Sequence, residues 1–299
     1  MQISKVVLLV LLGITACAYA IIWARSLSRR RQWVWPTLFQ SLVGFVTDFL
    51  DTLGIGSFAL TTALYRPLKI VQDHLIPGTL NVGHTLPTIA QAFIFIAIVK
   101  VDTLTLWLLI AASVVGAWFG ARVVSRLPRA AVQAGMGIAL LIAAVLIMLG
   151  IFDRLPTGGS ALELTGSRLA IAVVCNVVFG ALMTIGVGAY APIMVMVSLL
   201  GMDPKAAFPI MMGSCAFLMP AASAQFIANQ RYHVRAALGL TLLGVPAVFL
   251  AAPLVSSLSV KSLNWLVLFV VIYNALMMLR AARQSLISKA YDSTSNSGH

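Results

Sequence analysis

Apolar residues run through this 299-residue chain in blocks too long and too uniform for the strands or one-sided helices of a soluble core. Residues 104–121 and 131–151 are two such blocks. Each reaches the roughly 18 residues that mark a helix able to cross a hydrocarbon layer about 30 Å thick. Neither alternates polar with apolar residues, as a membrane β-barrel requires, so their backbone groups must be satisfied inside helices. The pattern predicts an all-α polytopic membrane protein.

A second pattern lies over the first. Thr52-Leu53-Gly54-Ile55-Gly56-Ser57-Phe58-Ala59 returns 132 residues later as Thr184-Ile185-Gly186-Val187-Gly188-Ala189-Tyr190-Ala191. Fainter echoes accompany it: Gly83-His84 with Pro87 and Gln91 is followed by Gly213-Ser214 with Pro220 and Gln225. Glycine-broken apolar segments at matching places in two halves of a chain point to internal repeats with a substrate site at their interface. The expected organisation is an N-terminal transmembrane helix and basic loop (1–34), a first repeat (35–152), a polar Gly-rich linker (153–166), a second repeat (167–282) and a polar tail (283–299). The two pseudo-symmetric repeats carry broken or re-entrant helices. The glycine segments either cross the membrane or re-enter; the distribution of basic residues favours re-entry, which leaves three full crossings per repeat and inverts the second relative to the first.

Composition agrees. With 61% hydrophobic and 9% charged residues and a mean hydropathy of +1.00, polar surface is too scarce for a water-soluble fold of this size. The net charge of +12 sits in short clusters between apolar blocks, a topology signal and no nucleic-acid footprint. Lys5 alone precedes the first apolar run, residues 6–24, whereas Arg25, Arg29, Arg30 and Arg31 follow it. That asymmetry predicts an uncleaved helix with its N-terminus outside and the C-terminal tail in the cytoplasm. Re-entry of the glycine segments also brings Arg122, Arg126 and Arg129 to the cytoplasmic side. Cys17, Cys175 and Cys215 lie in apolar stretches without CxxC spacing, which suits packing better than a disulfide or zinc site.

Glycines in an unwound membrane segment expose backbone N–H groups, and the following half-helix adds the positive end of its dipole. Gly54, Gly56, Gly186 and Gly188 are thus candidates for binding an anion, with Thr52, Ser57 and Thr184 as hydroxyl donors beside them. Asn81, His84 and Ser214 extend this set from the helices that follow, and His84 could also relay a proton. Asp51 and Asp48 are the costliest residues at bilayer depth and become candidates for proton coupling. The second repeat has Met183 and Gly180 at their positions, so coupling would be asymmetric. Gly54-Ile55-Gly56-Ser57-Phe58-Ala59 fits a loose dinucleotide pattern without a βαβ context, and no Walker A, HExxH or GxSxG sequence occurs. No cofactor, metal or enzymatic activity is expected.

The paired Gly-x-Gly segments, the two-unit organisation and Gly201-Met202-Asp203-Pro204-Lys205-Ala206-Ala207-Phe208-Pro209 with Met212-Gly213-Ser214-Cys215 resemble the sulfite exporter TauE/SafE permease family over residues 35–279. Many members carry three adjacent glycines where this chain has Gly56-Ser57-Phe58 and Gly188-Ala189-Tyr190. The resemblance implies a bacterial inner-membrane permease for sulfite, sulfonates or related small organic anions. Expected partners are that small anionic substrate and the lipid bilayer, with no nucleic acid; a homodimer stays open. A passive anion channel is the alternative.

Overall fold

The computed structural model describes residues 2–124, 128–152, 159–183 and 189–296, and those residues are helical apart from short connections. The helices are α1 (Gln2–Arg29), α2 (Leu38–Thr52), α3 (Ser57–Tyr65), α4 (Ile76–Ile98), α5 (Thr103–Val124), α6 (Arg129–Ile151), α7 (Gly166–Met183), α8 (Tyr190–Leu199), α9 (Ala207–Ala228), α10 (Val234–Ser257) and α11 (Val260–Asn296). Among the described residues, seven spans are long and apolar enough to cross a membrane: Ser4–Arg29, Asp73–Ile98, Ala130–Ile151, Gly166–Met183, Pro204–Ala228, Val234–Val255 and Lys261–Ser285. The chain is therefore an all-α, multi-pass membrane protein. Arg126 and linker residues 153–158 lie outside the described residues.

The first glycine segment is broken where the sequence predicts. At 15 and nine residues, α2 and α3 are about 22 and 13 Å long, so neither alone matches a hydrocarbon layer of about 30 Å. A capping box starts α2: Thr37 Oγ1 accepts from Gln40 N, and Gln40 Oε1 accepts from Thr37 N, which satisfies two orphan donors reciprocally. The helix ends at Gly54, whose φ of 92° is open to glycine and strained for other residues. Gly54 N donates to Asp51 O and Ile55 N to Leu50 O, the paired bonds of a Schellman termination. Among the described residues the same pair of bonds ends four other helical stretches, around Arg31, Lys69 and Gln230 at a φ between 50° and 55° and around Gly201 at 81°.

The described chain forms two compact units, residues 1–111 with 205–259 and residues 112–204 with 260–299. In the first unit, α10 packs along α2 and α4, α4 along α9, and α1 against α4 and α9. Small residues set the closest approaches: a side chain at Gly44 would meet Leu240 Cα and O at 2.6 Å, and one at Gly239 would meet Gln40 Cβ at 2.8 Å. Bilayer helices gain van der Waals contact by such exclusion of side chains. The first helix is tied in by Tyr19 Oη, which donates to Val82 O (2.8 Å), and by Trp23 Nε1, which donates to Tyr232 Oη (3.2 Å).

Pro87 lies inside α4 and leaves the carbonyl four residues earlier without its helical donor. That carbonyl, Gly83 O, accepts instead from Thr241 Oγ1 of α10 at 2.6 Å, so the interruption is closed by a neighbouring helix. In the second unit, α11 packs on α6 and α8, and α7 on α8. There Gly116 abuts the Val177 carbonyl and Gly180 the Ser113 carbonyl.

Candidate functional site

The break between α2 and α3 gathers the buried polar residues of the first unit. Asp48 and Asp51 sit one turn apart at the end of α2 and are 0% and 1% exposed, so they face protein and not lipid. Carboxylates at that depth need partners, and the partners come from other elements.

Asp51 closes the gap between the two half-helices. Gly56, the residue preceding α3, has φ 93° and ψ 122° and brings no side chain to cap the helix. The Asp51 carboxylate does so instead, with Oδ1 accepting from Ser57 N at 2.6 Å. Its other oxygen, Oδ2, accepts from Gln91 Nε2 of α4 at 2.9 Å, and the same nitrogen donates to Thr52 Oγ1 at 3.0 Å. Thr52 Oγ1 in turn donates to Asp48 O at 2.7 Å. A carboxylate at a helix N-terminus gains both charge-assisted hydrogen bonds and the dipole.

Asp48 belongs to a second chain of contacts. His84 Nδ1 lies 2.8 Å from Asp48 Oδ1, and His84 Nε2 lies 3.0 Å from Thr61 Oγ1 of α3. With Asp48 ionised, Nδ1 carries the proton and Nε2 accepts from the Thr61 hydroxyl. Both ring nitrogens are thereby engaged, so His84 links α2, α3 and α4 and has no nitrogen left for a ligand in this arrangement. Phe58 flanks the ring at a centroid distance of 5.9 Å. Three buried polar atoms at these residues have no hydrogen-bond partner among the described residues: Asp48 Oδ2, Gln91 Oε1 and Tyr65 Oη. Asp48 Oδ2 rests against Gly244 of α10, and Pro87 Cγ lies beside the same glycine. Arg66, the nearest downstream cation in sequence, is spent at the surface on Asp73 at 3.4 Å.

Of the residues predicted from sequence, Thr52, Gly54, Gly56, Ser57, His84, Asp48 and Asp51 come together at this break. Asn81 and Ser214 stand apart from its hydrogen-bond network: Asn81 Nδ2 donates to Pro77 O (2.9 Å) and Ser214 Oγ to Ile210 O (2.8 Å), each within its own helix. Thr184, Gly186 and Gly188 lie outside the described residues. Thr61 and Tyr65 belong to the site without having been singled out. Their signal was present, two polar groups four residues apart on the half-helix that follows the glycines. Among the described residues no cluster of His, Cys, Asp or Glu could hold a metal ion, and Cys17, Cys175 and Cys215 form no disulfide with one another.

The family model described as Sulfite exporter TauE/SafE matches residues 1–148. It takes in α1, which the sequence motifs left out, and ends before residues 167–282, which hold the run from Gly201 to Cys215. No curated protein and no solved structure matches the chain.

Proposed function

We propose, from the premise that residues 1–148 are those of the sulfite exporter TauE/SafE family, that this membrane permease is a secondary transporter of small anions such as sulfite, sulfonates or related organic anions. Its substrate site is the glycine break, with Thr52, Gly54, Gly56 and Ser57 in the first repeat and, by repetition, Thr184, Gly186 and Gly188 in the second. Asp51 and Asp48 couple transport to protons, and His84 joins them through its bond to Asp48.

The observation that supports this most is the hydrogen bond from Ser57 N to a buried carboxylate. It marks the start of α3 as a place that receives an anion in the protein interior, where helix ends and unwound backbone form transporter sites. The broken α2–α3 pair adds the irregular backbone that alternating access needs at membrane depth. The family resemblance supports a bacterial inner membrane, the positive-inside pattern supports Arg29 to Arg31 and the C-terminal tail on the cytoplasmic side, and an inverted second repeat accounts best for the basic residues near Arg126.

Uptake of radiolabelled sulfite, methanesulfonate and acetate into proteoliposomes across a pH step tests the reading. Saturable uptake that depends on the proton gradient is the expected result. A non-saturating anion current that ignores the gradient would identify a channel instead.

A further inference from the structure

We propose that Asp51 is a tethered occupant of the anion site, whose donors a small monovalent oxyanion takes over when Asp51 is protonated, so that proton and anion are bound together one to one. The inference rests on the reading of the chain as an anion carrier with its site at the first glycine break.

The geometry of the carboxylate motivates it. Its two oxygens are divided between donors from two elements, Ser57 N at the start of α3 and Gln91 Nε2 on α4, at 2.6 and 2.9 Å. A backbone amide and a side-chain amide that hold the two ends of one carboxylate edge can hold one edge of a free carboxylate or sulfonate equally well. Space is at hand: a side chain added at Gly56 would meet nothing within 4 Å among the described residues.

Gln91 supplies the independent observation. The residue is 0% exposed, and its Oε1 has no hydrogen-bond partner among the described residues. An acceptor stranded beside a carboxylate is poorly matched to the ionised acid and well matched to the protonated one. Once Asp51 carries a proton, the Gln91 carboxamide can turn so that Oε1 accepts from the Asp51 O–H and, as the Thr52 hydroxyl swings from Asp48 O, from Thr52 as well; Nε2 and the Ser57 amide, released from their charge-assisted bonds, are then left to the anion. The N-terminus of α3 then faces an incoming anion with its dipole uncompensated.

The other titratable groups at this point are few. Asp48 on α2 is engaged by His84 of α4 through its Oδ1, Tyr65 comes from α3, and α10 presents Gly244, which brings no charge. Asp51 is thus the one carboxylate on the α3 N-terminus, and exchange for a monovalent anion conserves charge: one proton enters with one anion from the same side.

Isothermal titration of the purified full-length protein with methanesulfonate and with acetate, in two buffers of different ionisation enthalpy, tests this. Methanesulfonate keeps one charge throughout, so any proton taken up belongs to the protein. The wild type should take up about one proton per anion bound and lose affinity as pH rises. Asp51→Asn should bind without proton uptake and, at alkaline pH, at least about tenfold tighter than the wild type. Ser57→Pro removes the amide donor at a first-turn position that suits proline, after a Gly56 whose ψ of 122° accepts a following proline. It should weaken binding about tenfold or more, in the wild type and in Asp51→Asn alike.

Wild-type binding without proton uptake, or proton uptake that persists in Asp51→Asn, would overturn the inference. If such proton-free binding is still weakened by Ser57→Pro, the anion carrier with its site at the break survives. If neither anion binds any of the proteins at any pH, both fall.

Discussion

Gly244→Ala places one methyl group where the buried Asp48–His84 pair can least accept it. The new Cβ would run into Asp48 Oδ2 and come within 2.9 Å of Pro87 Cγ and 3.0 Å of Asp48 Cγ, against the 3.4 Å at which ordinary contact begins. Pro87 cannot turn, because its ring is part of the α4 backbone. The Asp48 carboxylate must swing instead, which draws Oδ1 away from His84 Nδ1, now 2.8 Å distant. A lost hydrogen bond to a charged group costs about 1.5–3 kcal/mol, and replacing a helical glycine by alanine returns up to about 1 kcal/mol. The net destabilisation is then about 0.5–3 kcal/mol, together with loss of proton-driven uptake. Thermal unfolding in detergent and proteoliposome uptake measure the two effects. Asp48→Ala removes the carboxylate and leaves only the contact with Pro87, so in that background Gly244→Ala should cost less, a coupling of about 1 kcal/mol or more. An equal cost in both backgrounds, or none in the wild type, refutes the reasoning.

Gly56→Val should abolish transport while leaving membrane insertion intact, at about 1–3 kcal/mol of backbone strain from its φ of 93°. Because the added side chain meets no described neighbour, Gly56→Ala should be about as harmful, and normal uptake by both variants would move the site elsewhere. Thr241→Val deprives Gly83 O of its donor at the Pro87 interruption and should cost about 1–3 kcal/mol; an unchanged melting temperature counts against that assignment. His233 caps α10 with Nδ1 accepting from Ala236 N at 3.2 Å, which requires a neutral ring. Burial, then the nearby Arg235 charge, hold this imidazole below its ordinary 6.5. The folded protein therefore binds fewer protons than the unfolded chain, and the cap's contribution is complete above 6.5 and is lost as pH falls through the lowered value. His233→Asn should flatten that acid limb in a melting-temperature titration.

The break between α2 and α3 was legible because it is local: two glycines one residue apart inside an apolar run leave little else for the backbone to do. The cost of Asp48 and Asp51 was legible for the same reason, since charge at bilayer depth is read residue by residue. Their partners were not. Gln91 lies 40 residues beyond Asp51 and His84 36 beyond Asp48, and no periodicity states which helix faces which. Thr61 resembles any helical threonine that could bond back to its own carbonyls, as Thr62 does to Phe58 O at 2.8 Å. Asn81 illustrates the reverse: in sequence it looks as polar as His84, yet its amide is consumed by Pro77 O. Repetition of the motif exposed four glycines, but it carried no information about the carboxylate that caps the half-helix in the first copy, because the second copy has none at the matching place.

The contact between α2 and α10 limits how such a carrier can move. Gly44 against the Leu240 backbone and Gly239 against Gln40 bring the two main chains close at these points. Two rods seated in this way slide or roll only by parting. Motion is thus funnelled into the four residues from Leu53 to Gly56, where two glycines with φ near 92° form a joint between a fixed rod, α2, and a short lever, α3. A crosslink between α2 and α10 should leave such a machine running, whereas a crosslink from α3 to α4 should stop it.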